Sequence, residues 1–370
     1  MVNEGRAADA FVADVRGIGI ERAEQEAAEI FQSYKDYKLC GLLVPHDLGG
    51  ADWSASCAAK FIMELGEVGP SVALGAVMHN FSIAGLSASW RYGGGALAPF
   101  LRSVEDQQLL VSSGFAELGL SSSLIKPSMT AKRDGSGWKI NGVKRPCSLS
   151  LSMDLLTASV WFDGDEQEHD SGYAVALIDA RTPGIRVEKL WRNHVLEGAQ
   201  SDAVILENVY VRDHQLIRPN QDMAAETAVL QVVGMNWFLI MVLSAYVGMA
   251  RRLVDELAGG STSNDFSLGA QGAVQRLTSA VRGCQIILDM LSRDMDRGEL
   301  DPHEMQRRLL DARTSIECIF KVIAAETPDI MRGEQFITNG VISRLRESLS
   351  GLLFHPPARN QRYTLFEAVE

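Results

Sequence analysis

The chain has 370 residues, of which 46% are hydrophobic, and a formal net charge of −12. This length and apolar content predict a folded globular protein and exclude a disordered chain. Lys and Arg are scattered without a basic block, so the charge pattern argues against a nucleic-acid partner or an anionic membrane surface.

The five cysteines are widely separated, and they form neither a C-x-x-C motif nor a Cys/His cluster. This spacing indicates neither a disulfide framework nor a metal site, and it fits a reducing cytoplasm. The first residues, MVNEGRAADAF, include acidic side chains and no apolar core, so we expect no export signal and a cytoplasmic protein.

The hydrophobic period divides the chain into three predicted domains. Residues 1–108 carry apolar positions at spacings of three and four, which predicts a helical domain. Residues 109–221 alternate with a period of two, which predicts a small antiparallel β-domain, and Asn141-Gly142 has the composition of a two-residue hairpin turn. The helical period returns over 222–370, where we expect a four-helix bundle.

One stretch in the third segment contains no charged residue from Ala228 to Ala250, a length of 23 residues that could span a membrane. We interpret it instead as a helix buried on all sides within the bundle. The chain shows no second segment of this kind, and Arg251 and Arg252 lead directly into an ordinary amphipathic helix.

Short motifs support a family resemblance across nearly the whole chain. FAELGLSSSL resembles a T-E-P-x-x-G-S loop, DGSGWKINGVKRPCSLS a G-x-x-I-N-G-x-K-x-W-I-T-N hairpin, and DAVILENVYVRDHQLI an F-x-x-V-x-V-P strand. In this order and spacing they resemble the acyl-CoA dehydrogenase superfamily, which includes flavin monooxygenases. The resemblance implies an α+β fold with an N-terminal helical domain, a middle antiparallel β-barrel and a C-terminal helical bundle.

The resemblance also implies a bound flavin, with FAD as the expected cofactor. Ala116 replaces the usual Thr, Pro146 replaces a Trp, and the arginine of an R-x-x-F-G motif is missing. These departures imply a weaker hold on FAD, FMN in its place, or a loosely bound reduced flavin delivered by another protein. By position, the cofactor-binding residues are Phe115, Ala116, Ser122, Cys147, Ser148, Phe266 and Gly333.

Classical family members remove an α-proton with a Glu at one of two positions. Here those positions fall near Phe238 and Leu239 and at His355 or Pro356, so neither carries a carboxylate. Imidazole is a competent general base near neutral pH, which makes His355 the first catalytic candidate. Its alternative is a structural turn residue bonded to a carbonyl. His79 is the second candidate, and its alternative is packing within an apolar helical face.

The resemblance places Asn80, Glu117 and Arg192 near the substrate, although Arg192 also suits an exposed loop. Three functions stay open: an oxidoreductase acting on an acyl thioester of CoA or a carrier protein with a non-standard base, a two-component flavin monooxygenase acting on a small molecule, and a flavin-poor partner subunit. The implied partners are a flavin reductase or an electron-transfer flavoprotein, and the implied assembly is a homodimer or homotetramer.

Overall fold

The structure is a computed structural model that describes residues 2–93, 95–117, 127–163, 171–218, 224–259 and 268–357. Its elements follow the predicted order of helices, strands and helices. The chain forms two compact units. The sheet unit comprises Met1–Ala7, Ala28–Asp52 and Met78–Gly234, and the bundle unit comprises Ala8–Ala27, Trp53–Val77 and Met235–Glu370. The division into three domains stays a prediction.

Six helices occupy the described part of the N-terminal third. Ser54 begins one of them, since its side chain accepts a hydrogen bond from the Cys57 backbone N–H, and Pro70 opens the next at the position that requires no N–H donor. The six helices are α1 (Val2–Ile18), α2 (Ile20–Gln25), α3 (Ala27–Asp36), α4 (Ala55–Val68), α5 (Pro70–Arg91) and α6 (Ala98–Gln107).

The described strands form one mixed sheet. They are β1 (Val111–Gly114), β2 (Thr130–Asp134), β3 (Gly137–Cys147), β4 (Leu155–Asp163), β5 (Ser171–Asp179), β6 (Ile185–Glu188), β7 (Asp202–Arg212) and β8 (Leu216–Ile217). The path is β6-β7-β3-β2-β4-β5-β8, with β1 beside β4. The expected antiparallel pairing holds along this path except at β4, which runs parallel to β2 and also to β1.

The predicted turn at Asn141-Gly142 is wrong, because both residues lie inside β3. The chain reverses between β2 and β3 at 135–136 instead, and the register of β3 against β7 shifts between Ile140 and Gly142. Gly142 has a φ of 146°, and an added Cβ would lie 2.8 Å from the Met129 Cα atom. Glycine is therefore required here by a bulge and by a close backbone approach.

Three long helices and two short ones make up the described C-terminal part. Asp301 begins the third of them by accepting hydrogen bonds from the His303 and Glu304 backbone N–H groups. In order they are α7 (Ala224–Gly259), α8 (Leu268–Arg297), α9 (Pro302–Ile330), α10 (Gly333–Thr338) and α11 (Gly340–Ser348), followed by a 3₁₀ turn at Leu349–Phe354.

The bundle unit also includes α4 from the N-terminal third, which packs against α8 and α7. Gly66 of α4 lies against the Ala245 carbonyl of α7, and Gly248 of α7 lies against the Met63 carbonyl of α4. A Cβ at either glycine would collide with those backbone atoms, so the two helices approach as closely as their backbones permit.

Two helices are long and apolar enough to cross a membrane by length and composition, Pro70–Arg91 and Gln231–Gly259. Their most apolar stretches are 78% and 72% buried within the protein, respectively. The interpretation of the uncharged C-terminal stretch as a core helix agrees with this burial. The expectation that the chain has no second such segment is wrong.

Candidate functional site

The two segments predicted to contact the flavin lie side by side in the sheet unit. The chain leaves β1 into Phe115 and Ala116, and the backbone N–H of Arg145 in β3 donates to the Ala116 carbonyl at 3.0 Å. At the end of β3, the Ser148 carbonyl accepts a hydrogen bond from the Ser112 hydroxyl at 2.5 Å. The structure thus brings together residues from the two predicted loops, including Cys147 and Ser148.

Cys147 and Ser148 present different groups. The Cys147 side chain is fully buried in the core of the sheet, and its Sγ atom lies 3.1 Å from the Ser112 hydroxyl. Burial raises the pKa of this thiol to about 11, so it stays protonated. Ser148 is half-buried, and its hydroxyl lies 2.9 Å from that of Ser201. Ser148 therefore keeps a hydroxyl near the predicted ring contacts.

Glu117, predicted at the substrate, forms a buried ion pair with Lys144. The Lys144 ammonium donates to the Glu117 carboxylate at 2.5 Å and to the Ser159 hydroxyl at 2.9 Å, and the Ser128 backbone N–H also donates to Glu117 at 2.8 Å. Burial lowers the pKa of Lys144. Burial also opposes ionisation of Glu117, but the hydrogen bonds from Lys144 and Ser128 lower its pKa on balance. Its carboxylate thus holds the segment that follows β1 against β3.

His79 is fully buried, and both of its ring nitrogens have backbone partners. The Val111 N–H donates to Nδ1 at 3.0 Å, so the proton is on Nε2, which lies 2.9 Å from the Cys40 carbonyl oxygen. Burial lowers the pKa of the ring to about 4. The side chain of its neighbour Asn80 donates to the Tyr34 hydroxyl at 3.0 Å. These contacts connect α5 to α3, to Cys40 and to β1, which is a structural arrangement.

His355 follows the 3₁₀ turn in the bundle unit and contacts two side chains of α7. Its Nε2 atom lies 3.1 Å from the Tyr246 hydroxyl oxygen, and its ring centroid lies 6.0 Å from that of Phe238. Loss of hydration, together with the charge of Arg313, lowers the pKa of His355 to about 3. The imidazole is therefore neutral at physiological pH.

The contact between Phe238 and His355 brings together the two segments in which the resemblance places the family's base. Phe238 lies on α7 and His355 follows the last described turn, and their ring centroids are 6.0 Å apart. The resulting group is aromatic and neutral, with the Tyr246 hydroxyl as its polar member. It can donate or accept hydrogen bonds, and it is poorly suited to hold a proton taken from carbon.

Arg313 of α9 holds the backbone on both sides of His355. Its guanidinium is fully buried and donates to the carbonyl oxygens of Leu352, His355 and Pro356 at 2.8, 2.7 and 2.6 Å. Its Nε donates to the Glu317 carboxylate at 3.0 Å. The five donors of a guanidinium suit such multiple contacts. The residue therefore fixes the His-Pro-Pro backbone to α9.

The other predicted residues lie apart from these groups or outside the described residues. Arg192 is exposed in the loop that follows β6, as its alternative interpretation expected. Gly333 is exposed at the start of α10, where it lines a cavity of about 300 Å³ with Arg332 and Arg346. Ser122 and Phe266 lie outside the described residues. No cluster of metal-ligating side chains occurs within the described ranges.

The sequence did not point to three side chains that the structure makes prominent, namely Tyr246, Arg313 and Gln200. Tyr246 lies within the long uncharged stretch of α7, where nothing in the sequence distinguishes it from the other core residues. Arg313 differs from the other charged residues of α9 only in lying on the buried face of that helix. Gln200 precedes β7, and its side-chain oxygen is buried with no hydrogen-bond partner among the residues that the structure describes.

The groups of the sheet unit fit the polar edge of a flavin. An isoalloxazine ring carries an imide flanked by two carbonyls, so it requires hydrogen-bond donors together with an acceptor. The hydroxyls of Ser148 and Ser201 are hydrogen-bonded to each other, so the one that accepts keeps its own O–H to donate, and the Gln200 side-chain oxygen is an acceptor. The residues present are therefore chemically compatible with this cofactor.

Comparison with known proteins agrees with this architecture. The family model described as acyl-CoA dehydrogenase, middle domain, matches residues 112–209. Isobutylamine N-hydroxylase from Streptomyces viridifaciens is 34% identical over 345 residues, which cover 91% of this chain and 87% of that protein.

Solved structures with the same fold include two FMN complexes of proteins that share little sequence with this chain. KijD3 in complex with FMN and an amino-keto sugar nucleotide superimposes with a TM-score of 0.86 at 17% identity, covering 99% of this chain and 93% of that one. FMN-bound TdsC from Paenibacillus sp. A11-2 gives 0.86 at 14% identity, covering 98% and 96%.

The fold and its neighbours define a flavin-dependent oxidoreductase. The chain belongs to the acyl-CoA dehydrogenase superfamily, and over most of its length it is similar to isobutylamine N-hydroxylase.

Proposed function

We propose that the protein is the oxygenase component of a two-component flavin monooxygenase that N-hydroxylates a small primary amine. The observation that carries the proposal is that the two segments in which the resemblance places a catalytic glutamate meet at Phe238 and His355, and neither residue is a carboxylate. The relative that shares 34% identity over most of both chains is named for this reaction on isobutylamine. A small aliphatic amine is therefore the substrate class we favour.

The chemistry of amine oxidation suits the group around His355. Dehydrogenation of an acyl thioester needs a strong base for a weak carbon acid, and an imidazole whose pKa is lowered to about 3 is a poor one. An amine nitrogen instead reacts through its own lone pair. His355 and Tyr246 then serve as hydrogen-bond partners that position reacting groups.

Bound reduced flavin would supply the two electrons needed to activate molecular oxygen. Within the sheet unit, the backbone at Phe115 and Ala116 and the Ser148 hydroxyl would hold the polar edge of its ring. The arginine of the family's R-x-x-F-G motif is missing from this chain. Its absence supports weak flavin binding, and therefore a reduced flavin that a separate reductase delivers. Both FMN and FAD are compatible with these residues.

The proposal is tested with purified protein, a flavin reductase, NADH, FMN or FAD, isobutylamine and oxygen labelled with the heavy isotope. We expect an N-hydroxylamine that carries one labelled oxygen atom, with no such product when the reductase acts alone. Failure to form a labelled product across a series of small primary amines, despite flavin binding, would contradict the proposal.

A second candidate is dehydrogenation of an acyl thioester, which the match to an acyl-CoA dehydrogenase middle domain favours. In that case His355 would act as the base. The test is oxidation of acyl-CoA or acyl-carrier-protein substrates with an artificial electron acceptor and no reductase. An unsaturated acyl product would favour dehydrogenation over hydroxylation. A protein that binds neither FMN nor FAD would instead favour the third function, a flavin-poor partner subunit.

A further inference from the structure

Two loops of the sheet unit are joined beside the predicted flavin contacts, one that follows β3 and one that precedes β7. Ser150 donates to the Gln200 carbonyl through its backbone N–H at 3.2 Å and through its hydroxyl at 2.7 Å. The hydroxyls of Ser148 and Ser201 lie 2.9 Å apart. These bonds fix the backbone of Gln200 relative to Ser148.

The backbone at this junction adopts conformations that side chains disfavour. Leu149, Leu196 and Gln200 have φ values of 62°, 58° and 54°, and none of them is glycine. Such conformations cost free energy and cluster at active sites and ligand-binding loops. Three of these conformations therefore lie in two joined loops beside the predicted flavin contacts.

The side chain of Gln200 carries an unused acceptor at the same place. The residue is 6% exposed, and its Oε1 atom is buried with no hydrogen-bond partner within the described residues. Buried polar groups in native proteins are nearly always hydrogen-bonded, and exceptions are found at functional sites. This oxygen is available to an N–H or O–H donor of a bound ligand.

The chemistry of the side chain selects one donor in particular. The oxidised flavin ring has a single N–H group, the imide at N3, with a carbonyl on each side. A primary amide offers an acceptor and a donor next to each other, which complements an imide. We infer that Gln200 is a flavin-binding residue whose Oε1 accepts from the imide N–H and whose Nε2 donates to a neighbouring ring carbonyl. The inference depends on the family's flavin and on no particular substrate.

The first measurement compares the FMN dissociation constants of the wild type, Gln200→Leu and Gln107→Leu by flavin fluorescence, in the absence of amine. Gln107 is exposed at the end of α6 and provides the matched control. We expect about tenfold weaker binding for Gln200→Leu and no change for the control, as for one lost ligand hydrogen bond.

A flavin analogue assigns the contact to the imide. FMN methylated at N3 cannot donate the hydrogen bond, so the wild type should bind it about tenfold less tightly than FMN, whereas Gln200→Leu should bind the two alike. Equal discrimination by both proteins would overturn the inference. So would an unchanged FMN affinity accompanied by weaker amine binding, because that result would place the acceptor at the substrate.

A thermal melt of the flavin-free proteins separates ligand binding from a structural role. Leucine removes an unpaired buried acceptor, so the melting temperature of Gln200→Leu should equal or exceed that of the wild type. A lower melting temperature would assign the side chain to structure and overturn the inference. Failure of amine hydroxylation would leave these binding results intact, so the two proposals can fail separately.

Discussion

At His355 an imidazole occupies a position where related dehydrogenases use a carboxylate, and its neighbours limit what it can do. Tyr246 offers one hydrogen bond, Phe238 contributes an aromatic wall, and the nearby Arg313 charge opposes protonation. The side chain is thus a neutral hydrogen-bonding group whose removal should affect chemistry more than flavin binding.

We predict that His355→Ala lowers the rate of hydroxylated product formation about a hundredfold, because the reacting groups lose a hydrogen-bond partner that positions them. Flavin affinity should change little. The measurement is the rate of product formation with excess reductase and NADH, with the exposed His214→Ala variant as control. An unchanged rate would remove His355 from the reaction.

His79 leads to a prediction about acid stability. Its pKa is lowered from 6.5 to about 4, so between these values the unfolded state binds more protons than the folded state. The free energy of unfolding should therefore fall as the pH drops through this window, by up to about 3 kcal/mol from this residue. His355 acts in the same direction.

The check is urea unfolding at about pH 7 and about pH 5 for the wild type and His79→Gln. The variant should be less stable at the higher pH, because two backbone partners lose their ring nitrogens, and it should lose less stability on acidification. An identical pH dependence in both proteins would show that His79 is not neutral in the folded state.

At the scale of elements, glycine sets the separation of α4 and α7. We predict that Gly248→Ala destabilises the protein by about 1–3 kcal/mol, because its Cβ would collide with the Met63 carbonyl. Gly283→Ala on α8 is the matched control, since nothing lies within 4 Å of its added Cβ and alanine favours a helix. Both values come from denaturant titration, and equal stability changes would contradict the close approach.

Arg313 joins α9 to the turn that carries His355. Arg313→Met should lower the free energy of unfolding by about 3–5 kcal/mol, because it removes one partner of a buried ion pair and the guanidinium donors to three backbone carbonyl groups. Arg313→Lys should not restore the loss, since an ammonium cannot replace a guanidinium that contacts four oxygens. If Arg313→Lys were as stable as the wild type, a positive charge at this position would be sufficient and the guanidinium hydrogen bonds would not be needed for stability.

At the scale of the whole molecule, exposed apolar side chains on α8 bear on assembly, which stays a prediction. Ile286 and Met290 are 56% and 62% exposed and lie four residues apart, so they share one face of the helix. If this face joins copies of the chain, light scattering should report a dimer or tetramer, and Ile286→Glu with Met290→Glu should reduce the mass. A monomeric wild type would contradict the assembly.

Much of the architecture follows from periodicity, whereas contacts between distant residues do not. The change from a helical to a strand period located the sheet, but a local turn motif placed a hairpin at Asn141-Gly142, where pairing of β3 with β7 instead produces a bulge. The motifs predicted that the segments at Ala116 and Ser148 lie close together, and hydrogen bonds join these segments to the neighbouring strands β3 and β1, respectively, while their contact with a flavin stays a prediction. Tyr246 and Arg313 were missed because only folding brings them to His355.

Both compact units are assembled from separated stretches of sequence, and this has a consequence for biosynthesis. The bundle unit needs Trp53–Val77, which the ribosome makes early, and Met235–Glu370, which it makes last. Until the final helices emerge, the apolar surface of α4 lacks its partners and is open to chaperones or to aggregation. Truncated chains that end after the sheet should therefore yield insoluble protein rather than an isolated domain.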